Sequence, residues 1–345
     1  MELKKEHNYL WDNIKTLLIF LVVVGHLLEG LKLVLPFAKD FDYWIYTFHM
    51  PAFIFVSGFL SKSYCREGKV RADKVIVFIA YYAIFQLAFT GYRMLVGIPV
   101  EAVNILDMFH SNRGLWYLLA IIFYYLMIPV AERLSSFVMI SVSVVLSILI
   151  STAPDAGIVL AIHRIFVFAP FFFIGYYMSN SALEKLRKIN LFIRLLLGAI
   201  CITCSILIWS LQNRDNFPMR VFFGKANFAE LDVWFRYGAL LRIQALVIGL
   251  LMIAAVLLII PTCKLFISYI GRYSLSVYIF HMPIVISLMD TDFLKEVQIV
   301  SLTDFFLLLL CAAAIVGVLS IPIFDYPFKW IRLGLQKITK YSPKH

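Results

Sequence analysis

Runs of roughly 20 almost uncharged residues recur along this chain, and that is the length a helix needs to cross about 30 Å of hydrocarbon. A soluble domain has no use for so many. About ten such windows can be placed, near 14–35, 43–61, 75–98, 114–131, 136–153, 164–180, 191–211, 237–260, 266–288 and 304–326. Composition agrees, since 62% of the 345 residues are hydrophobic and only 15% charged, against roughly 45–50% and 25% in soluble domains. The runs are continuously apolar rather than alternating, which predicts helices and not the strands of a membrane barrel. The expected fold is therefore all-α, a polytopic membrane protein of about ten transmembrane helices in a single domain over residues 1–345. The first window has no small-residue cleavage site and carries His26 and Glu29, so it reads as a retained span and not a signal peptide.

Charge sets the expected orientation. With a cytoplasmic N-terminus, the inner segments (1–15, 61–74, 131–135, 181–194, 261–272 and 327–345) hold 20 of the 31 Lys and Arg residues, and the outer ones 13 of the 21 acids. The positive-inside rule then predicts both termini in the cytoplasm and a plasma (inner) membrane location. The net charge of +10 is an orientation signal rather than a nucleic-acid surface, because no soluble domain remains to carry one. The five cysteines (Cys65, Cys201, Cys204, Cys263 and Cys311) read as small residues in or near spans, with no disulfide required. No internal repeat is evident. The longest outer loop, about 212–236, is polar and is expected to shape an extracellular entrance.

Ionisable side chains inside a span cost a few kcal/mol and usually face a cavity, so each is a functional candidate. Three histidines qualify: His26, His49 and His281. At about 100° per residue, Asp12, Lys15, His26 and Glu29 fall within one sector of roughly 100° on the first helix. His26 would stand about 16 Å above Lys15, near the bilayer middle. Glu29, at i+3, can hydrogen-bond the imidazole and hold it as a base. On the second helix Tyr46, His49, Phe53 and Ser57 share a face, and Pro51 is expected to kink it. The Ser57-Gly58 pair suits close helix packing. Further on, Ser274, Tyr278 and His281 follow i, i+4, i+7.

Two other features carry alternatives. The inner loop "KSYCREGKVRADK" holds Lys62, Arg66, Lys69, Arg71 and Lys74; it reads either as positive-inside bias with anionic-lipid contact, or, at Arg71 and Lys74, as a phosphate clamp. Arg164, near the outer start of the sixth window, either snorkels to the interface or serves an outward-facing cavity.

Taken together, these stretches resemble the acyltransferase-3 family of integral membrane acyltransferases. The stretch "WDNIKTLLIFLVVVGH" is similar to its first helix, with the basic residue, ten residues, then His, here Lys15 and His26. In order, "FHMPAFIFVSGFL", "LWYLLAIIFYYL", "FFFIGYYM" and "YSLSVYIFHMPI" resemble later family helices, and the likeness covers almost the whole chain. The family's inner Arg-x-x-Arg falls on Arg71-Ala-Asp-Lys74, where Lys replaces a bidentate donor.

The resemblance implies a stand-alone O-acetyltransferase that moves acetyl from cytoplasmic acetyl-CoA, its co-substrate, to a hydroxyl of a cell-surface or lipid-linked glycan, with no metal. It implies His26 and Glu29 as catalytic residues and Lys15, Arg71 and Lys74 as the acyl-CoA edge. His49, His281, Tyr278, Arg164 and Trp116 would serve the acceptor or the oxyanion. Direct transfer and an acyl-histidine intermediate both fit this set. The partners expected are the acyl-CoA donor, the glycan and membrane lipid, with room for a homo-oligomer. A transporter or flippase of a lipid-linked sugar would use the same polar cavity, but predicts two halves related by a repeat.

Overall fold

In the computed structural model every apolar window folds as helix, over a description that covers residues 8–97 except 67, then 108, 110, 114–154, 159–210, 220–290 and 297–339. In chain order these are α1 (Leu10–Glu29), α2 (Pro36–Leu60), α3 (Ala72–Leu95), α4 (Trp116–Arg133), α5 (Ser136–Leu149), α6 (Ile162–Tyr177), α7 (Asn180–Lys188) and α8 (Leu191–Ser210). They continue with α9 (Arg220–Phe223), α10 (Phe235–Ile259), α11 (Ser268–Arg272), α12 (Ser274–Asp290), α13 (Leu302–Leu319) and α14 (Tyr326–Thr339). Among the described residues seven helices are long and apolar enough to cross a membrane, and α6 with α7, bent by 79° at their junction, gives an eighth, broken span. The apolar stretches Ser136–Thr152 and Ser274–Leu288 are shorter. Residues such as Phe192 and Leu207 on α8 and Phe306 and Leu310 on α13 are exposed, an outer surface suited to lipid and not to water. The chain is a multi-pass membrane protein.

The start of α1 and the end of α13 lie at the same end of the bundle. Residues Lys32–Leu33 (β1), just after α1, pair in parallel with Gln298–Ile299 (β4), just before α13. The far end of α1 and the near end of α13 are thus side by side, so Leu10 and Leu319 both point the other way. A hairpin of Cys65–Arg66 (β2) and Lys69–Val70 (β3) makes the turn from α2 to α3.

The helices meet through small residues. A methyl group on Gly58 of α2 would lie 2.0 Å from the carbonyl oxygen of Phe172, and one on Gly175 of α6 would lie 2.1 Å from that of Phe55. Backbones approach this closely only where no Cβ intervenes, so the packing role expected of Gly58 is what the structure holds. α2 itself runs unbroken through Pro51, which removes the N–H that the Thr47 carbonyl would otherwise accept.

α1 begins well before its apolar window because its first turn is polar and docked. Asn13 Nδ2 donates to the carbonyls of Pro261 (2.9 Å) and Cys263 (3.0 Å), and Ser268 Oγ donates to Asn13 Oδ1 at 2.5 Å. A Cβ on Gly271 would sit 2.0 Å from the Asp12 carbonyl oxygen. At its other end α1 stops at Glu29, followed by a turn at Gly30 and β1. The helix is therefore shifted towards its N-terminus relative to the expected 14–35. This corrects the expected depth of His26, which stands in the last turn of α1 rather than halfway along a span.

Candidate active site

At the bundle end opposite Leu10, the last turn of α1, the middle of α2, the first turns of α4 and α6, and residues 220–225 enclose a cavity of about 330 Å³. His26, Glu29, His49, Trp116, Arg164 and Tyr278 all line it. Six of the ten expected site residues thus converge, from five helices.

His26 Nδ1 lies 3.3 Å from Glu29 Oε2, the i,i+3 contact that one helical turn allows. Tyr46 from α2 donates its hydroxyl to the same oxygen at 3.4 Å. An ionised carboxylate only accepts, so Nδ1 carries the proton and the ring's lone pair is at Nε2. His26 therefore has the form of an oriented base. Behind it stands His281, fully buried, with its ring centroid 5.4 Å away.

The other two histidines have their tautomers set by their own helices. His281 Nδ1 donates to the Val277 carbonyl at 3.0 Å, and His49 Nδ1 to the Ile45 carbonyl at 2.7 Å. In its neutral form each then offers only an accepting Nε2. Both can take a hydrogen bond from a hydroxyl, but neither supplies one to an oxyanion. Arg164 can only donate, and its guanidinium lies 4.8 Å over the Trp116 ring while its Nε donates to the Phe223 carbonyl at 3.1 Å. Tyr278 donates its hydroxyl to the Gly114 carbonyl, which leaves its ring as cavity wall.

Lys15, Arg71 and Lys74 stand elsewhere, on elements that begin at the N-terminal end of the bundle. Lys15 pairs with Asp12 at 3.2 Å, and Asp12 also meets Arg272 Nε at 3.5 Å. Arg71, at the start of α3, closes its fork on Asp73, with bonds of 3.3 and 2.8 Å. Lys74 Nζ lies 5.9 Å above the Tyr64 ring. The polar stripe of α1 meets different neighbours along its length: Asp12 meets Arg272 at the end of α11, His26 meets His281 of α12, and Glu29 meets Tyr46 of α2.

Several cavity residues were not singled out from the sequence. His110, Lys225, Phe222 and Phe223 line it, and His163 and Arg242 hold residues 221–224 from behind. Arg242 had a legible signal, a charge inside an apolar run. His110 and Lys225 sit in connecting segments, where sequence periodicity is silent. Part of the loop expected to shape an extracellular entrance, at 222–225, lines the cavity, while 211–219 lies outside the described residues. Among the described residues no three His, Cys, Asp or Glu side chains form a metal-binding group, and all five cysteines are free.

The helical multi-pass bundle thus gathers an oriented imidazole, an arginine and aromatic side chains around one recess. The family comparison names the reaction class. The model of the acyltransferase-3 family, described as an acyltransferase domain, matches residues 8–324, so the chain belongs to that family and is a membrane acyltransferase. No curated protein and no solved structure matches it.

Proposed function

We propose that the protein moves a short acyl group, acetyl, from acyl-CoA to a hydroxyl of a cell-surface or lipid-linked glycan, with His26 as the base. The observation that carries this reading is the His26–Glu29 contact inside a cavity that also holds Arg164. His26 Nε2 takes the proton of the acceptor hydroxyl as its oxygen attacks the thioester carbonyl carbon. Arg164 faces the negative charge that develops on the carbonyl oxygen. Collapse breaks the C–S bond, and the CoA thiolate leaves with the proton from His26.

A glycan suits the walls. Tyr46 and Phe223 offer aromatic surface to the apolar side of a sugar, and His49 Nε2 accepts from a hydroxyl. The polyanionic donor is assigned to the opposite, basic end, at Lys15, Arg71 and Lys74, where Asp12 and Asp73 now share those cations. Along α1 the two ends are separated by about 16 Å, from Lys15 to His26; the donor's extended arm bridges it. With that basic end in the cytoplasm, the inner-membrane orientation follows.

The test is transfer of radiolabel from acetyl-CoA to a crude glycan acceptor in sealed vesicles, wild type against His26→Ala. Transfer by the wild type and its loss in the variant support the reading. Undiminished transfer by His26→Ala removes His26 from the mechanism, and no transfer by the wild type removes the reaction.

A further inference from the structure

Arg242 is a buried guanidinium that the acyl-transfer steps do not use. It lies on α10, is 3% exposed, and does not line the histidine cavity. Its Nη1 donates to the Val221 carbonyl at 2.7 Å and its Nη2 to Ser151 Oγ at 3.0 Å. The Ser151 carbonyl in turn accepts from Phe228 N at 2.7 Å. Both ends of the strap 221–228 are thereby tied to one cluster. Within it, the Phe223 carbonyl accepts from Arg164 and the Gly224 carbonyl accepts from His163 Nδ1 at 2.7 Å. Gly224 has φ +64°, and a Cβ there would meet the Phe168 ring at 2.9 Å, so the strap is pressed against α6 in a backbone form that glycine favours.

The strap is a wall of the cavity. Phe222, Phe223 and Lys225 line it, and the Phe223 ring packs 4.7 Å from Tyr46, the residue that shares Glu29 with His26. A charge inside a span is costly unless hydrogen bonds offset it, and here two of them go to Val221 and Ser151. What depends on this one is the placement of residues 221–225.

We propose that Arg242 is a positioning residue, which by gripping Val221 and Ser151 sets the strap as the acceptor-side wall and so governs which acceptors the cavity takes. The kinetic part of this rests on the acyl-transfer reading; the placement of the strap does not.

Two readouts keep those apart. In a background without the five native cysteines, Lys225→Cys would be labelled with a maleimide in detergent micelles, where both ends of the bundle are open to the reagent, alone and combined with Arg242→Gln, Arg242→Lys or Ser151→Ala. A reporter at Ser179→Cys, far from the strap in sequence and on another turn, controls for general loosening. Arg242→Gln is expected to speed labelling at 225 at least roughly fivefold, with Arg242→Lys and Ser151→Ala between it and the parent, and little change at 179. In the native-cysteine protein, Arg242→Gln is expected to raise KM for the acceptor roughly tenfold, with kcat and the acyl-CoA KM within about twofold, as loss of uniform binding does. Unchanged labelling at 225, or an equal rise at 179, overturns the proposal. So does an unchanged acceptor KM, or a fall in kcat with no change in KM. If Arg242→Gln does not fold, Ser151→Ala decides by the same labelling and KM criteria. A labelling response in a protein whose wild type transfers no acetyl would sink the acyl-transfer reading and leave the strap assignment standing.

Discussion

The imidazole rings of His26 and His281 lie with centroids 5.4 Å apart and planes tilted by 31°, although they come from opposite ends of the chain. His281 is held through Nδ1 by the Val277 carbonyl, and its buried Nε2 has no hydrogen-bond partner among the described residues. On the proposed mechanism His26 gains a positive charge when it takes a proton, and the neutral His281 ring stands beside it. His281→Asn keeps a donor for Val277 and removes Nε2. It is expected to lower kcat roughly tenfold, as about 1.4 kcal/mol of lost transition-state stabilisation does, with little effect on acceptor KM. Initial rates at saturating and limiting acceptor check this, and an unaltered kcat would speak against the pair.

Glu29 and His26 should separate in magnitude. His26→Ala removes the proposed base and is expected to cost roughly 10²- to 10⁴-fold in rate. Glu29→Gln keeps an oxygen near Nδ1 but loses the charge, so its cost should be smaller, and Tyr46→Phe smaller again because its bond to Glu29 is longer, at 3.4 Å. The order of the three initial rates is the measurement.

Arg164 is bound by shape as well as charge. Its guanidinium over Trp116 and its bond to Phe223 both use the planar fork. Arg164→Lys keeps the charge and loses both, and is expected to reduce kcat by about 10²-fold, the scale of one lost oxyanion donor. If Arg164→Lys matched wild type, charge alone would be sufficient there.

The α2–α6 contact makes a stability prediction with a built-in control. Gly58→Ala puts a methyl group 2.0 Å from a backbone oxygen, while Gly317 has nothing within 4 Å of its added Cβ. Gly58→Ala should cost at least the ~1–3 kcal/mol typical of overpacking. Gly317→Ala, inside α13, should be neutral or stabilising by up to about 1 kcal/mol. Melting in a fixed detergent micelle would reveal the difference as opposite shifts.

Lys15 offers a test of the donor end. Lys15→Ala is expected to raise KM for acyl-CoA several-fold while leaving the acceptor KM alone, with the wild-type donor KM rising as salt is added and the variant's rising less. Equal salt dependence in the two proteins would remove Lys15 from donor binding.

Local rules carried the sequence reading where the contacts are local. The His26–Glu29 contact follows from one helical turn, and the close approach at Gly58 from the absence of a side chain in an apolar helix. The Arg71–Asp73 fork was equally local, yet reading Arg71 with Lys74 as a clamp passed over the acid between them. Helix ends were less legible, because hydropathy marks apolar length and not docking. Asn13 and Asp12 extend α1 backwards through partners at 261–272, and this moved His26 to the last turn. The strap was out of reach altogether. Its place depends on Arg242, Ser151 and His163, contributed by separate elements, and no periodicity links them.

The tie between β1 and β4 bears on how such a protein is made. His26 and Glu29 are synthesised in the first span, but the ring behind them arrives with α12, and the strand that fastens the end of α1 arrives later still. Asp12 and Asn13 likewise wait for 261–272. The first helix therefore enters the membrane with Asp12 paired to Lys15 and His26 to Glu29, but with Asp12, Asn13 and His26 each still lacking a partner that is not yet translated. Something must shelter those groups meanwhile, by water at the interface or by an assisting protein. The cavity is then closed late in synthesis, and a chain released before α12 would have its recess open on the side where Tyr278 and His281 belong.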